Sequence, residues 1–486
     1  MAKGSRHRSP SVGRDSSWLV GADLGAVALA FLGQIILARM LLAEHYGWMV
    51  IAIDVYASMM LVVDLGLPTL LARDGARAPD LVPAAVHRMY RYQLAAAVPF
   101  LLLAGVIRPE TWLIDDVPDA LAVAAMLTAV AHVASYAPRS GLRVLGEARL
   151  EALTKLVERG VTVALYGGLA VSGATSPSAY LWAFCIGAVV GWLAAYLLVR
   201  RVAPPALDDR PDWRRMDAAW LTHRSLIVAA LPFAVTLGVL PYVVRIEKFL
   251  VTAEGGATLG AVFHVAQLAW LAGLVVPSAL RSALLPVLGD ARRSSVHTQQ
   301  AMNTSLDLCF GLLPFGLLGG YAVVAVLAPV AFPSEYVDGT HGASAVEVFT
   351  LMLLGWGFTL LATPSYTAIM TGERPWRFTG FIFGVLLLAV LIGYVLIVAW
   401  ASTPRAWLMA GALASSVSAG ALLVCSWWLS GTYPWVKGRA DDWALALLCT
   451  VFIVVGLASA TWWWVLGLPL LAFTPSGWRA LRSTLA

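Results

Sequence analysis

Three charged residues fall within four positions of a single apolar run. In LPFAVTLGVLPYVVRIEKFLV, Leu231 to Val251, the residues Arg245, Glu247 and Lys248 interrupt an otherwise uncharged stretch. A charge held in a membrane-length apolar segment costs about 2.5–3.5 kcal/mol on insertion scales, so such residues are functional candidates by default. Arginine offers a planar fork that matches phosphate, and lysine acts as a point charge. The chemistry implied is recognition of an anion, phosphate above all. Arg39 closes another apolar run and adds a further cation. The plainer reading of Arg39 and Lys248 is snorkelling to the headgroups, an argument that weakens for Arg245, one turn deeper. For Glu247 the plainer reading is an ion pair with Arg245 or Lys248. The substrate-binding candidates are therefore Arg39, Arg245, Lys248 and Glu247.

Four further titratable groups lie in apolar runs and are candidates for coupling to H+ or Na+. They are Asp54, Asp23, Asp64 and His264. Asp54 is the deepest acid by position, and a structural hydrogen bond competes with the coupling role. Asp64 precedes Gly66 and Pro68, which favours helix–helix packing. His264 lies one turn from Gln267 on a shared face and titrates near neutral pH when exposed, but a satisfied core histidine is the simpler reading. No P-loop, nucleophile elbow or metal-ligand spacing occurs, so neither a metal nor a cofactor is expected. The four cysteines stand singly in apolar runs and read as packing residues.

The elements that must carry these residues are membrane helices. Of 486 residues 60% are hydrophobic and 13% charged, about half the roughly 25% that a soluble surface needs; mean hydropathy is +0.78. Apolar runs of roughly 18–25 residues match a hydrocarbon core of about 30 Å crossed by a helix, and backbone in lipid must bond internally. The fold class is all-α membrane, with about fourteen transmembrane helices. They form two six-helix lobes in pseudo-twofold arrangement plus two C-terminal helices. Spans include 17–40, 46–71, 225–252, 256–279, 303–329, 442–459 and 461–475. Pro232, Gly238 and Pro241 predict a kink or break in the seventh.

Basic residues confirm the count internally. All of the 33 Lys and Arg except Arg39, Arg108, Arg405, Arg245 and Lys248 fall on one side of the alternating spans. That side is cytoplasmic by the positive-inside rule, which places both termini in the cytoplasm of a multi-pass plasma-membrane protein. The basic balance therefore sets topology, and nucleic acid is not an expected partner. The domains read as a cytoplasmic tail, 1–16, an N-terminal lobe, 17–200, and a cytoplasmic linker with a short amphipathic helix, 201–224. A C-terminal lobe, 225–430, and two extra helices with a tail, 431–486, complete the chain. A faint repeat relates the lobes, with the segment from Leu37 lying against that from Ile246, so that Arg39 meets Lys248 and Gly47 meets Gly260.

The string ILARMLLAEHYGWMVIAIDVYASMMLVVDLGLPTLLAR resembles the opening of polysaccharide, or lipid-linked oligosaccharide, flippases. In that family a helix ending in a basic residue leads through an acidic turn to Tyr-Gly, and the next helix closes on Asp-Leu-Gly. Here these are Arg39, Glu44, Tyr46, Gly47 and Asp64-Leu65-Gly66. The segments LPFAVTLGVLPYVVRIEKFLV and LGAVFHVAQLAWLAGLVVPSALRSALLPVLG are similar to the family's seventh and eighth helices. The likeness covers residues 17–400. One departure is Glu247, where many members place an aspartate. The resemblance implies the multidrug/oligosaccharidyl-lipid/polysaccharide exporter superfamily and a carrier; a monomer is expected, and the missing catalytic motifs speak against an enzyme. The carrier would move a polyprenyl-(pyro)phosphate-linked oligosaccharide from the cytoplasmic to the outer leaflet by alternating access, serving cell-surface polysaccharide or glycan assembly. Its partners would be that lipid-linked glycan and the membrane lipids.

The alternatives are a multidrug and toxin cation exporter of the same superfamily, which would want an acid-rich site, and a peptidoglycan-precursor flippase. A membrane glycosyltransferase is a weaker alternative, because the largest outer loop, VAFPSEYVDGTHGAS, carries only one Glu, one Asp and one His.

Overall fold

The structure is a computed structural model that describes residues 12–115, 117–205, 210–291, 295–370, 375–437, 439–459 and 469–478 apart from 472 and 476. The tail before Val12, the side chain of Asp23 and most of the expected last span, 461–475, lie outside the described residues. No strand occurs among those described, and nine helices are long and apolar enough to cross a membrane. The chain divides into two compact units. Unit one is Met1–Leu41, Trp48–Trp112 and Asp116–Gly238, and unit two is Leu42–Gly47, Leu113–Asp115 and Val239–Ala486.

Unit one begins with α1, Val12–Met40, whose first turn lies within the stretch expected to be a cytoplasmic tail. The helix expected over 46–71 is two pieces, α2, Ala43–Met60, and α3, Leu67–Asp74. The reason is local. Leu65 and Gly66 take positive φ of 55° and 65°, which stops a right-handed helix, and Pro68 then sits in the first turn of α3. A Cβ on Gly66 would stand 2.6 Å from the Ala234 backbone nitrogen, so glycine is required there for space as well as conformation. Helices α4, Val82–Ile107, α5, Asp119–Val144, α6, Ala148–Val171, and α7, Pro177–Val202, complete the unit.

Small residues set the α6/α7 joint. Gly187 and Gly191 are four apart on α7, and a Cβ on either would run into Thr162 or Glu158 of α6. Such spacing lets membrane helices approach closely. The approach encloses Glu158, 2% exposed, which accepts from Arg139 Nη2 at 2.6 Å and lies 3.1 Å from His132 Nε2.

The linker carries two single 3-10 turns, Trp213–Arg215 and Ala218–Trp220, where an amphipathic helix is expected. Side-chain capping explains the difference. Asp212 accepts from the Arg214 amide and Asp217 from the Ala219 amide, and each cap starts a new turn within a few residues. The turns are clamped within unit one. Arg215 grips Asp80 with two bonds of 2.6 and 2.7 Å, Arg88 donates to the Trp220 carbonyl at 2.6 Å, and Trp220 Nε1 donates to buried Asp74 at 3.0 Å. Trp220 lies in a core shared with Leu70, Leu71, Val82, Val86 and Leu226. Arg77 reaches Asp217 at 3.1 Å, and the Ala219 amide bonded to that carboxyl is the chief cause that holds its pKa below the usual range.

Helix α8, His223–Gly273, supplies most of what matters in unit two, from Val239 onward. Its dihedrals stay helical through Pro232, Gly238 and Pro241, where the sequence predicts a kink or break, so the chain is not broken there. The departure falls instead at Gly256, with φ 80° and ψ −179°, a region open essentially to glycine. A proline removes one backbone donor, and a helix in lipid absorbs that when neighbouring groups take up the freed carbonyls. Thr236 Oγ1 adds a bond of its own within this stretch, donating to the Pro232 carbonyl at 2.8 Å.

The remaining elements are α9, Val275–Ala291, α10, Ser295–Ala331, α11, Ser334–Val337, and α12, Ala345–Met370. They are followed by α13, Pro375–Gly393, continuing as a π-helical turn to Trp400, then α14, Pro404–Ser430, α15, Tyr433–Val436, and α16, Ala440–Ser459. Helices α12 and α14 are stitched by Ser416, whose Oγ donates to the Leu351 carbonyl at 2.5 Å and accepts from the Gly355 amide at 3.0 Å. Along α12, Thr350, Thr359, Thr363 and Thr367 each donate to the carbonyl four residues back.

Candidate functional site

Gly256 turns α8 into a helical hairpin, and the two arms meet residue by residue. A Cβ on Gly260 would lie 2.5 Å from Thr252 Oγ1, so the arms touch near the apex. Further along, Lys248 Nζ and His264 Nδ1 are 3.2 Å apart, and Gln267 Nε2 donates to the Val244 carbonyl at 2.8 Å. Lys248 is 1% exposed and His264 7%, so Lys248 does not snorkel. An ammonium this deep costs several kcal/mol unless it is partnered. Tyr46 stands edge-on to His264 at 5.9 Å and to Tyr336 at 6.1 Å between centroids. The adjoining Gly47 has no room for a Cβ, which would lie 2.0 Å from the Ala257 carbonyl oxygen. The Tyr-Gly pair thus serves as a packing element against the hairpin apex.

Of the expected substrate residues, Arg245, Glu247 and Lys248 sit on the first arm of the hairpin. Arg245 is half-buried, and Glu247 is 2% exposed. Glu247 Oε1 makes no bond of hydrogen-bond geometry among the described residues, although Ser418 is near enough to feel the carboxylate. Arg39, exposed at the end of α1, belongs to unit one. The proposed repeat pairs it with Lys248, so that pairing equates an exposed cation with a buried one. Asp54 is half-buried on α2. Asp64 is 2% exposed in the turn after α2 and accepts from Gln93 Nε2 at 3.2 Å.

A cavity of about 220 Å³ lies within unit two beside the hairpin. The diverging arms of α8 contribute Leu240, Val243, Val244 and Trp270, and the start of α9 contributes Pro277, Ser278 and Arg281. Helices α12, α13 and α14 supply Thr359, Thr363, Tyr366, Ile382, Val385, Ser415, Ser418 and Leu422. Arg281 lies within hydrogen-bonding reach of the Tyr366 hydroxyl. No carboxylate lines this space among the described residues, and none of them forms a cluster suited to a metal.

Sequence reasoning passed over Arg281 because its place at the end of a span is explained by topology alone. A signal was present. Trp270, Leu274, Pro277, Ser278 and Arg281 follow helical spacing, a stripe that ends in a cation.

No protein-family model matches the chain, and neither does any curated protein sequence. Solved structures do match. MATE in complex with MaL6 is 14% identical over 87% of this chain and 96% of its own, with a TM-score of 0.58. The lipid II flippase MurJ in an inward closed conformation is 12% identical over 96% of this chain and 97% of its own, with a TM-score of 0.66. A transporter of the MOP superfamily from Pyrococcus furiosus, described by a reverse polarity of its binding pocket that suggests a different function, is 15% identical over 86% and 95%, with a TM-score of 0.58. At such identities the likeness is one of fold. The chain is a multi-pass, all-α membrane protein with the fold found in MATE and MurJ transporters of that superfamily.

Proposed function

We propose that the chain is a flippase that carries a polyprenyl-(pyro)phosphate-linked oligosaccharide from the cytoplasmic to the outer leaflet by alternating access. The observation that carries this reading is the basic set on the α8 hairpin, with Lys248 buried against His264 and Arg245 three residues before it. A cation kept inside an apolar helical unit is costly and suits an anionic cargo. The likeness to a lipid II flippase supports a glycolipid cargo, and the cationic character weighs against a multidrug cation exporter. Arg39 is proposed as a further phosphate contact, Glu247 as the group that orients the hairpin cations, and Asp54, Asp64, Asp23 and His264 as the candidates for H+ or Na+ coupling.

The test is deletion of the gene followed by mass spectrometry of lipid-linked glycans, with membrane-impermeant labelling to assign the leaflet. One glycan-lipid should accumulate on the cytoplasmic face, cleared by the wild type and not by Arg245→Ala. Unchanged glycan-lipids together with altered tolerance of cationic drugs would remove the flippase reading and favour the exporter.

A further inference from the structure

The cavity in unit two has an unusual inventory of donors. Trp270 Nε1 is buried on its wall, in a residue 6% exposed, and has no hydrogen-bond partner among the described residues; Ser418 lies on the same wall, but its hydroxyl is close to the Glu247 carboxylate. Leaving such a donor unmade costs about 1–3 kcal/mol, so Trp270 marks a place where a ligand acceptor would be stabilised. The threonines facing the same space differ. Thr359 and Thr363 donate to their own helix, to the Gly355 and Thr359 carbonyls at 2.9 and 2.8 Å, so they offer only acceptor lone pairs. Arg281 adds a guanidinium whose five N–H groups exceed what Tyr366 alone can take. Apart from Ser278 and Ser415, the rest of the wall is aliphatic.

We propose that this cavity is a subsite for the phosphate end of an isoprenoid phosphate lipid, with Arg281 as its charge partner. An ionised phosphate accepts and does not donate, so it suits Arg281 and Trp270. A glycan hydroxyl can donate, and so suits Thr359 and Thr363. The aliphatic wall takes the first carbons of the chain. Its size, about 220 Å³, is below the roughly 300–1,000 Å³ of a drug-sized site. It therefore seats the phosphate and adjoining carbons and leaves the bulk of glycan and lipid outside. This subsite deepens the flippase reading and rests on it for its place in transport, although binding itself can be measured separately.

The experiment uses the purified full chain in phosphatidylcholine nanodiscs, with affinities for farnesyl phosphate, farnesol and inorganic phosphate compared by native mass spectrometry. Farnesyl phosphate should bind at least about tenfold more tightly than either of the others, as expected of hydrogen bonds to a charged group. Arg281→Gln should abolish its advantage over farnesol. Trp270→Phe keeps the ring and loses the N–H, so it should weaken farnesyl phosphate several-fold and leave farnesol unchanged. Arg281→Lys serves if the glutamine variant does not fold, and should retain part of the preference. Equal binding of farnesol and farnesyl phosphate would overturn the subsite, as would a preference that survives both Arg281 variants. Inorganic phosphate binding as tightly as the lipid phosphate would reduce it to an anion site with no lipid component. If these binding results fail while the wild type still clears glycan-lipid in the leaflet assay, the subsite alone is wrong. If binding holds and no glycan-lipid moves, the flippase reading falls instead.

Discussion

Replacing Glu158 should destabilise unit one more than any single change to an exposed charge. Its carboxylate is 2% exposed and meets Arg139 at 2.6 Å, His132 at 3.1 Å and Arg159 at 3.6 Å. Arg139 is itself only 13% exposed, so solvent does little to replace a lost partner. Removing one member of a buried ion pair costs about 3–5 kcal/mol, because the other is left charged and uncompensated. Glu158→Gln keeps the shape and one acceptor, so its cost should lie near 3 kcal/mol, at the lower end of that ~3–5 kcal/mol range. Glu158→Ala also removes the Oε2 and Cγ atoms that lie 2.9 and 3.1 Å from the Cβ position of Gly191, and should lie at the upper end of that range, about 5 kcal/mol. The assay is equilibrium unfolding in mixed detergent micelles, with a double-mutant cycle against Arg139→Gln. A Glu158→Gln protein within about 1 kcal/mol of the wild type, or a coupling below about 0.5 kcal/mol, would refute the reasoning and make the cluster a set of independently solvated charges.

Gly256→Ala forces a side chain onto φ 80° and should cost about 1–3 kcal/mol; unfolding in the same micelles checks this, and an unchanged midpoint would mean the hairpin apex is not fixed by that residue. The linker should respond to acid through Asp217. Its folded pKa is depressed, so its contribution is complete above the unfolded value of about 4 and is lost as pH falls through the lower folded value. Hydrogen-exchange protection at Ala219 and Trp220 should therefore hold from neutral pH to about 5 and decline below about 4, with Asp217→Asn flattening the profile. Protection that stays level in the wild type would exclude the carboxylate as the clamp.

The helices were legible because lipid leaves apolar runs few options, and the hairpin charges because Arg245, Glu247 and Lys248 have no topological reason to be where they are. What stayed hidden were residues with two explanations. Arg281, Arg139 and Arg159 all satisfy the positive-inside pattern, which conceals that Arg281 faces a cavity and that the other two surround Glu158. Backbone breaks were misplaced for a related reason. Pro232 and Pro241 announce a lost donor, yet α8 runs through them, whereas the positive φ at Gly256 and Gly66 is signalled only by the Gly255-Gly256 pair and by Pro68 two residues on. The buried state of Lys248 depends on a histidine sixteen positions away across the hairpin, a separation that only the turn at Gly256 brings together.

Helix α10 has 37 residues, which at 1.5 Å each is about 55 Å of rod, against a hydrocarbon layer of about 30 Å. Tilt alone would have to exceed the usual limit of about 40° to hide that length. Part of α10 must therefore stand in the headgroup region or beyond, and its N-terminal polar stretch, SVHTQQAMNTS, is the composition suited to that. The protein is in this respect a gauge of its membrane. A bilayer thickened by longer acyl chains would draw more of that stretch toward hydrocarbon, at a cost that rises with each ångström.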